Sequence, residues 1–228
     1  MNKYRLTNTQ LKLIALVAMT CDHVGKVLLP GWTFLQIIGR LAFPIFAYMI
    51  AEGCRHTRDV KRYFLNMAGA AFVCQVVYFI AGRLLYMCVL VTFSLSIGVI
   101  CAIRWAQERG TRVSATVLAL VLLSTAFVCE VLSRLVAQTG FCVDYGLIGV
   151  LLPVAVYLCS QKAHALTVTA VMLAGLGFTY GGIQWFALLA IPLLALYNGE
   201  RGRLRWKAFF YVYYPLHLAV IYGIDMLI

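Results

Sequence analysis

The segment LKLIALVAMTCDHVGKVLL, Leu11 to Leu29, has the length and apolarity of a membrane-crossing helix, yet Asp22, His23 and Lys26 stand within one turn of it. A charge at the bilayer centre costs roughly 2.5–3.5 kcal/mol on insertion scales, so ionisable groups there face a polar cavity or one another. Asp22 and Lys26 are spaced i, i+4 with the acid N-terminal, the better orientation for an ion pair. Three ionisable groups in one turn exceed what a single pair needs, and the surplus group, His23, is a candidate general base. At 100° per residue the three fall within an arc of roughly 100°. Lys12, eleven positions before His23, returns to that face roughly 16 Å lower. A basic group at one mouth and a base near mid-membrane or beyond suit a long anionic substrate that enters from the basic end. Coenzyme A has this form, with phosphates at one end and a thioester at the other.

The same pattern recurs on other apolar stretches. In GRLAFPIFAYMIAEG, Arg40 is placed at depth and Pro44 interrupts the backbone bonding, which membrane helices tolerate where neighbours or a cavity satisfy the freed groups. In WKAFFYVYYPLHL, Tyr213, Tyr214 and His217 share a face at i, i+3 and i+4, and Pro215 deprives the Tyr211 carbonyl of its usual donor. A lined cavity is expected there, although tyrosines alone read as an interface belt. Glu130 and Arg134 form a further i, i+4 pair, read as structural.

The elements that must position these groups follow from composition. The chain has 228 residues, of which 63% are hydrophobic and only 12% charged. Soluble domains have about 45–50% apolar and about 25% charged residues, so this is an integral membrane protein. Apolar spans continue to Ile228, which argues against a secretory signal followed by a soluble domain. Stretches near the roughly 20 residues needed to cross the hydrocarbon are Leu11–Leu29, Trp32–Ala51, Tyr63–Gly82, Leu84–Ile103, Val113–Val136, Tyr145–Ser160, Ala165–Tyr180, Ile183–Tyr197 and Lys207–Leu227. The expected fold is an all-α, polytopic membrane bundle of about nine helices forming one domain over residues 1–228. Tyr180-Gly181-Gly182 splits the uncharged stretch Ala165–Gly199, because paired glycines punctuate helices.

The net charge of +11 is distributed in short clusters between spans. Lys3, Arg5 and Lys12 precede or open the first span; Arg55, Arg58, Lys61 and Arg62 follow the second; Arg104, Arg109 and Arg112 follow the fourth. Lys162 follows the sixth, and Arg201, Arg203, Arg205 and Lys207 follow the eighth, while the intervening connections carry little beyond Arg83. The positive-inside rule then places the N-terminus in the cytoplasm and the C-terminus outside. This placement, with no long basic stripe, argues against a nucleic-acid partner. The eight cysteines contain no C-x-x-C pair and indicate neither a disulfide framework nor a zinc site; no metal is expected.

LKLIALVAMTCDHVG, GRLAFPIFAYMIAEGCRHTRDVKRYFLNM and NGERGRLRWKAFFYVYYPLHL resemble the TraX family, most closely over Leu11–Met67 and Asn198–His217. The resemblance implies a bacterial inner-membrane setting and a role like that of the family's namesake in conjugative plasmid systems, which is implicated in acetylating the pilin N-terminus. TraX proteins also look like distant members of the transmembrane acyltransferases, including the acyltransferase-three family. That group carries a basic residue, ten intervening residues and a histidine on its first helix, a pattern that Lys12 and His23 reproduce. The resemblance implies His23 as the catalytic residue and Lys12 as a group on the donor side. This chain departs from the pattern in the aspartate directly before the histidine, and in having about nine spans where about ten are usual.

The expected activity is acetyl transfer from cytoplasmic acetyl-CoA to an amine or hydroxyl acceptor, which could be a pilin, a glycan, a lipid or a small amine. His23 would be the base, with Asp22 arranging the site, His217 an alternative base, and Arg40 or Lys26 stabilising the oxyanion. Lys12, Lys26, Arg55, Arg58, Arg62, Arg205 and Tyr214 are the expected donor-binding residues. Clustered Lys and Arg attract phosphates, but the same clusters also serve as anchors to anionic lipid in the bilayer. Two other readings use the same residues: a small secondary transporter and a non-catalytic assembly factor. The acceptor and the oligomeric state are not legible.

Overall fold

The structure is a computed structural model describing residues 5–82, 85–202 and 207–227. Lys3, Arg83, Arg203 and the expected donor-binding residue Arg205 lie outside them. The elements run α1 (Asn8–Val27), α2 (Thr33–Gly39), α3 (Ala42–His56), α4 (Val60–Gly82), β1 (Tyr86–Met87), α5 (Val89–Arg109) and α6 (Arg112–Ala126). A π-helical segment (Phe127–Leu132) then leads into α7 (Ser133–Leu135). There follow a 3-10 turn (Ala137–Thr139), β2 (Cys142–Val143), α8 (Gly146–Leu158), α9 (Lys162–Tyr180), a 3-10 helix (Gly182–Leu189), α10 (Ala190–Ala195) and α11 (Lys207–Asp225).

Each of the nine expected spans has a helical counterpart among the described residues. Among the described residues, five stretches are long and apolar enough to cross a bilayer: Thr33–His56, Val60–Gly82, Val89–Arg109, Arg112–Leu135 and Lys162–Tyr180. Gly146–Leu158 and Gly182–Ala195 are apolar but shorter. α1 is 20 residues long and carries Lys12, Asp22 and Lys26. The protein is therefore an all-α, multi-pass membrane protein. In the second span the helix breaks at Arg40–Leu41, and Pro44 sits in the first turn of α3. A proline ring collides with the carbonyl four residues before it, here that of Arg40, so the helix restarts beyond that point with Pro44 where no donor is needed.

The chain folds as two compact units: residues up to Met49 together with those from Cys159 onward form the first, and Ile50–Leu158 the second. The dividing points fall inside α3 and in the turn after α8, so no linker composition marks them.

In the first unit α1 packs on α2 through glycines. A Cβ on Gly25 would lie 2.9 Å from the Leu35 Cβ, and one on Gly39 would run into the Asp22 side chain. Without those Cβ atoms the two backbones come close enough for Asp22 to reach across. α9 folds back onto the following 3-10 helix through Gly181 and Gly182, whose φ values of 64° and 50° lie where glycine is favoured. Gly177 gives room to the Trp185 ring, 2.6 Å from where its Cβ would stand. The chain before α1 pairs with the segment after α10: Leu6 N donates to Leu196 O (2.8 Å) and Asn198 N to Leu6 O (2.9 Å). Leu11, Ala15, Leu173, Leu176, Leu194 and Leu218 are buried in this unit.

In the second unit α5 packs against α4, α6 and α8. Ser96 Oγ donates to Val150 O (2.8 Å) and Thr92 Oγ1 to Asp144 O (2.7 Å), tying α5 to α8 and to the turn before it. β1 and β2 form a short parallel pair, Tyr86 beside Cys142 and Met87 beside Val143. Burial and the neighbouring Asp144 carboxylate push the Tyr86 phenol above its ordinary range. The π-helical segment carries Glu130, whose Oε1 accepts from Leu147 N (3.3 Å) at the start of α8. Its ion pair with Arg134 is 3.5 Å long and exposed, in keeping with a structural role.

Candidate functional site

The ionisable residues of α1 point in two directions. Asp22, which is buried, accepts from Lys26 Nζ (2.6 Å) and from Arg40 Nη2. Arg40 is reached because the helix break leaves it at the C-terminal end of α2, beside Gly39. Arg40 Nε donates to Gln36 O (3.3 Å), Nη1 donates to Gln184 Oε1 (3.2 Å), and Gln36 Nε2 in turn donates to Gly25 O (3.1 Å). The Asp22 carboxylate is thus held between two cations, and the guanidinium is shared with a carboxamide.

His23 lies on the side of α1 that meets α11. Lys12 Nζ stands 5.7 Å from the centroid of Phe210, Thr20 Oγ1 and the Tyr213 hydroxyl are 2.9 Å apart, and the His23 and His217 ring centroids are 4.9 Å apart. These approaches advance along both helices in the same sense, so α1 and α11 run parallel. Lys12 and His23 do share this face.

Hydrogen bonds assign the ring nitrogens. His217 Nδ1 lies 3.0 Å from Tyr213 O, an acceptor only, so it carries the proton. With both rings neutral, His217 Nε2 is then an acceptor, 3.1 Å from His23 Nδ1. His23 Nδ1 also lies 3.0 Å from Met19 O, so it too bears a proton, shared between the carbonyl and His217. The lone pair of His23 is therefore on Nε2. Tyr213 stacks on His217 (5.3 Å, 10°) and Tyr214 meets it edge-on (5.2 Å, 87°), fixing the imidazole plane. Tyr214 also approaches His23 edge-on at 6.1 Å. A histidine held in one tautomer by a second polar group can act as a base, the orienting partner here being another histidine.

The basic residues of the second unit are differently placed. Arg55 pairs with Glu52 (2.5 Å) and donates to Val156 O and Tyr157 O at the C-terminal end of α8. Arg104 Nη1 donates to Cys54 O and Thr57 O, each at 3.4 Å, closing the end of α3. Cations at helix C-termini satisfy carbonyls that have no intrahelical partner. Arg58 and Arg62 are exposed and enter no ion pair among the described residues. Gln184 was not visible as a site residue from its sequence setting. One polar residue among apolar ones after a Gly-Gly turn was its sole signal.

A model of the TraX protein family matches residues 7–225 of this chain. The chain is 24% identical over 256 aligned residues to the probable fimbrial assembly protein FimC, serogroup H1, of Dichelobacter nodosus, covering 95% of each. It is also 50% identical over 44 residues to an uncharacterized protein of Rickettsia prowazekii (strain Madrid E), covering 18% of each. No solved structure matches. The family model accounts for the span that holds α1, Arg40 and α11 together, and on that match the chain belongs to the TraX protein family.

Proposed function

We propose that this protein is a bacterial inner-membrane acyltransferase that moves an acetyl group from cytoplasmic acetyl-CoA to an amine or hydroxyl acceptor. The observation that carries the reading is the His23–His217 pair, with its tautomers fixed by two backbone carbonyls. The donor supplies a thioester carbonyl as the electrophile. His23 Nε2 removes the proton from the acceptor N–H or O–H as that atom bonds to the carbonyl carbon. His23 then returns the proton to the sulfur as the carbon–sulfur bond breaks. His217 accepts the Nδ1 hydrogen bond throughout, so the charge gained by His23 is shared across the pair. Asp22 holds Arg40 and Lys26 and arranges the site around His23. Lys12, lower on the His23 face, and the exposed Arg201 supply positive charge for the donor phosphates. Lys26, half-exposed and paired with Asp22, and Tyr214, edge-on to both histidines, flank the reacting end.

The name of the Dichelobacter relative supports a pilin-type acceptor, and equally a non-catalytic assembly role. Calorimetry of the detergent-solubilised protein with acetyl-CoA separates the two. Saturable binding supports the acyltransferase, and no heat of binding at millimolar acetyl-CoA favours the assembly factor.

A further inference from the structure

We infer that Thr20 and Tyr213 are positioning residues of this site: the hydrogen bond between their hydroxyls, one helical turn before the histidine pair, sets the distance and angle at which His217 receives the His23 Nδ1 proton. The inference rests on the acyltransferase reading above.

Thr20 and His23 are three residues apart on α1, and Tyr213 and His217 are four apart on α11, so each pair shares a helix face. Thr20 Oγ1 donates to Leu16 O (2.9 Å), and a hydroxyl has one proton to give. The Tyr213 hydroxyl, 2.9 Å away, therefore donates to Thr20 Oγ1. One turn on, His23 Nδ1 and His217 Nε2 are 3.1 Å apart. The two contacts are successive rungs between the same two helices. They are also joined along α11, because the Tyr213 ring that makes the first rung stacks on the His217 imidazole of the second (5.3 Å, 10°).

The α11 backbone is weakest where this register matters. Pro215 stands between Tyr213 and His217 and, with no N–H to offer, removes one hydrogen bond from the helix there. The stacked rings span that point, so a fixed Tyr213 carries its position past the proline to His217. A hydrogen bond weakens steeply with misalignment, and misplacing a reacting group by about 1 Å can cost about 100-fold in rate. Thr20 and Tyr213 touch neither substrate nor the transferred proton; they act through the His217–His23 bond. Tyr213→Phe keeps the stacked ring and removes only the donor, while Thr20→Val keeps the side-chain shape and removes the acceptor.

Two measurements on the full chain test this. In detergent, nitrogen-15 NMR of labelled imidazoles reads whether His217 Nε2 accepts a hydrogen bond, its signal being assigned by its loss in His217→Leu. The wild type should show an accepting nitrogen. Tyr213→Phe and Thr20→Val should both move that signal toward a free lone pair, with circular dichroism unchanged; an unmoved signal in both overturns the inference. In membranes of the source bacterium lacking the native protein, radiolabelled acetyl-CoA reads the transfer rate. Each variant should lower the saturated rate about 10-fold or more and leave half-saturating acetyl-CoA within about threefold. The two together should lose no more than either alone, and Thr20→Ser, which keeps the hydroxyl, should retain most of the rate. In a His217→Leu background, where the second rung is already gone, Tyr213→Phe should lower the rate no further. The same further loss in that background as in the wild type marks an ordinary packing contact and overturns the inference, as do wild-type rates in both single variants. An inactive wild type overturns the acyltransferase reading itself, and the nitrogen signal then decides by itself whether the hydroxyls position the histidines.

Discussion

Replacing Arg40 by methionine should destabilise the protein far more than replacing Lys26, although both cations bind the same carboxylate. The side chains of Asp22 and Arg40 are 12% and 11% exposed, whereas that of Lys26 is 47% exposed. Removing one partner of a buried ion pair costs about 3–5 kcal/mol, because the remaining charge keeps its desolvation penalty. Lys26 stays on Asp22 at 2.6 Å in Arg40→Met, which places the expected loss near the lower limit, about 3 kcal/mol. Gln184 Oε1 also loses its donor in that variant. Lys26→Met removes a half-exposed partner from a carboxylate still held by Arg40, and should cost about 0–1 kcal/mol. Asp22→Asn leaves Arg40 with neutral acceptors, so the double variant with Arg40→Met should be less destabilised than the sum of the singles by about 2 kcal/mol. The assay is reversible unfolding in mixed micelles with increasing denaturing detergent, followed by circular dichroism. Equal losses for Lys26→Met and Arg40→Met, or strict additivity in the double variant, would refute the account of Asp22 as held chiefly by Arg40.

Other outcomes follow from the same geometry. His217→Gln keeps an acceptor oxygen near the Nε2 position and should retain part of the transfer rate. His217→Leu should lower it about 100-fold or more, measured with labelled acetyl-CoA; equal rates in the two variants would count against an orienting hydrogen bond. Gly39→Ala should force α2 away from the Asp22 side chain and cost about 1–3 kcal/mol. Gly31→Ala, with nothing within 4 Å of its Cβ, should leave the micelle unfolding curve in place. Arg55→Met should lower stability by about 1–3 kcal/mol through the lost hydrogen bonds to the α8 carbonyls. Its half-saturating acetyl-CoA concentration should not change, and a large rise would return Arg55 to the donor site.

The helical spans could be read from hydropathy because membrane crossing forces each segment to satisfy its own backbone. Spacing brought out Asp22, His23, Lys26 and the 213–217 face of α11, since charge or paired aromatics in an apolar helix stand out on a wheel. It could not show that Asp22 and His23 serve different neighbours, because that depends on which helices pack on each side of α1. Pro44 signalled a break, but the site of the break lies at the residue whose carbonyl its ring would strike. Arg55 shows the limit of charge counting, as a loop arginine and one that caps a distant helix look alike in sequence. Gln184 carries no charge and repeats at no spacing, and its part in the arrangement emerges only where its oxygen meets Arg40.

The most direct test of the account is single-turnover acetyl transfer by wild type and His23→Ala, each inserted in membranes at equal amount and with the same melting temperature in detergent. The account predicts transfer by the wild type and none above background by His23→Ala. Near-normal turnover by that variant would contradict it.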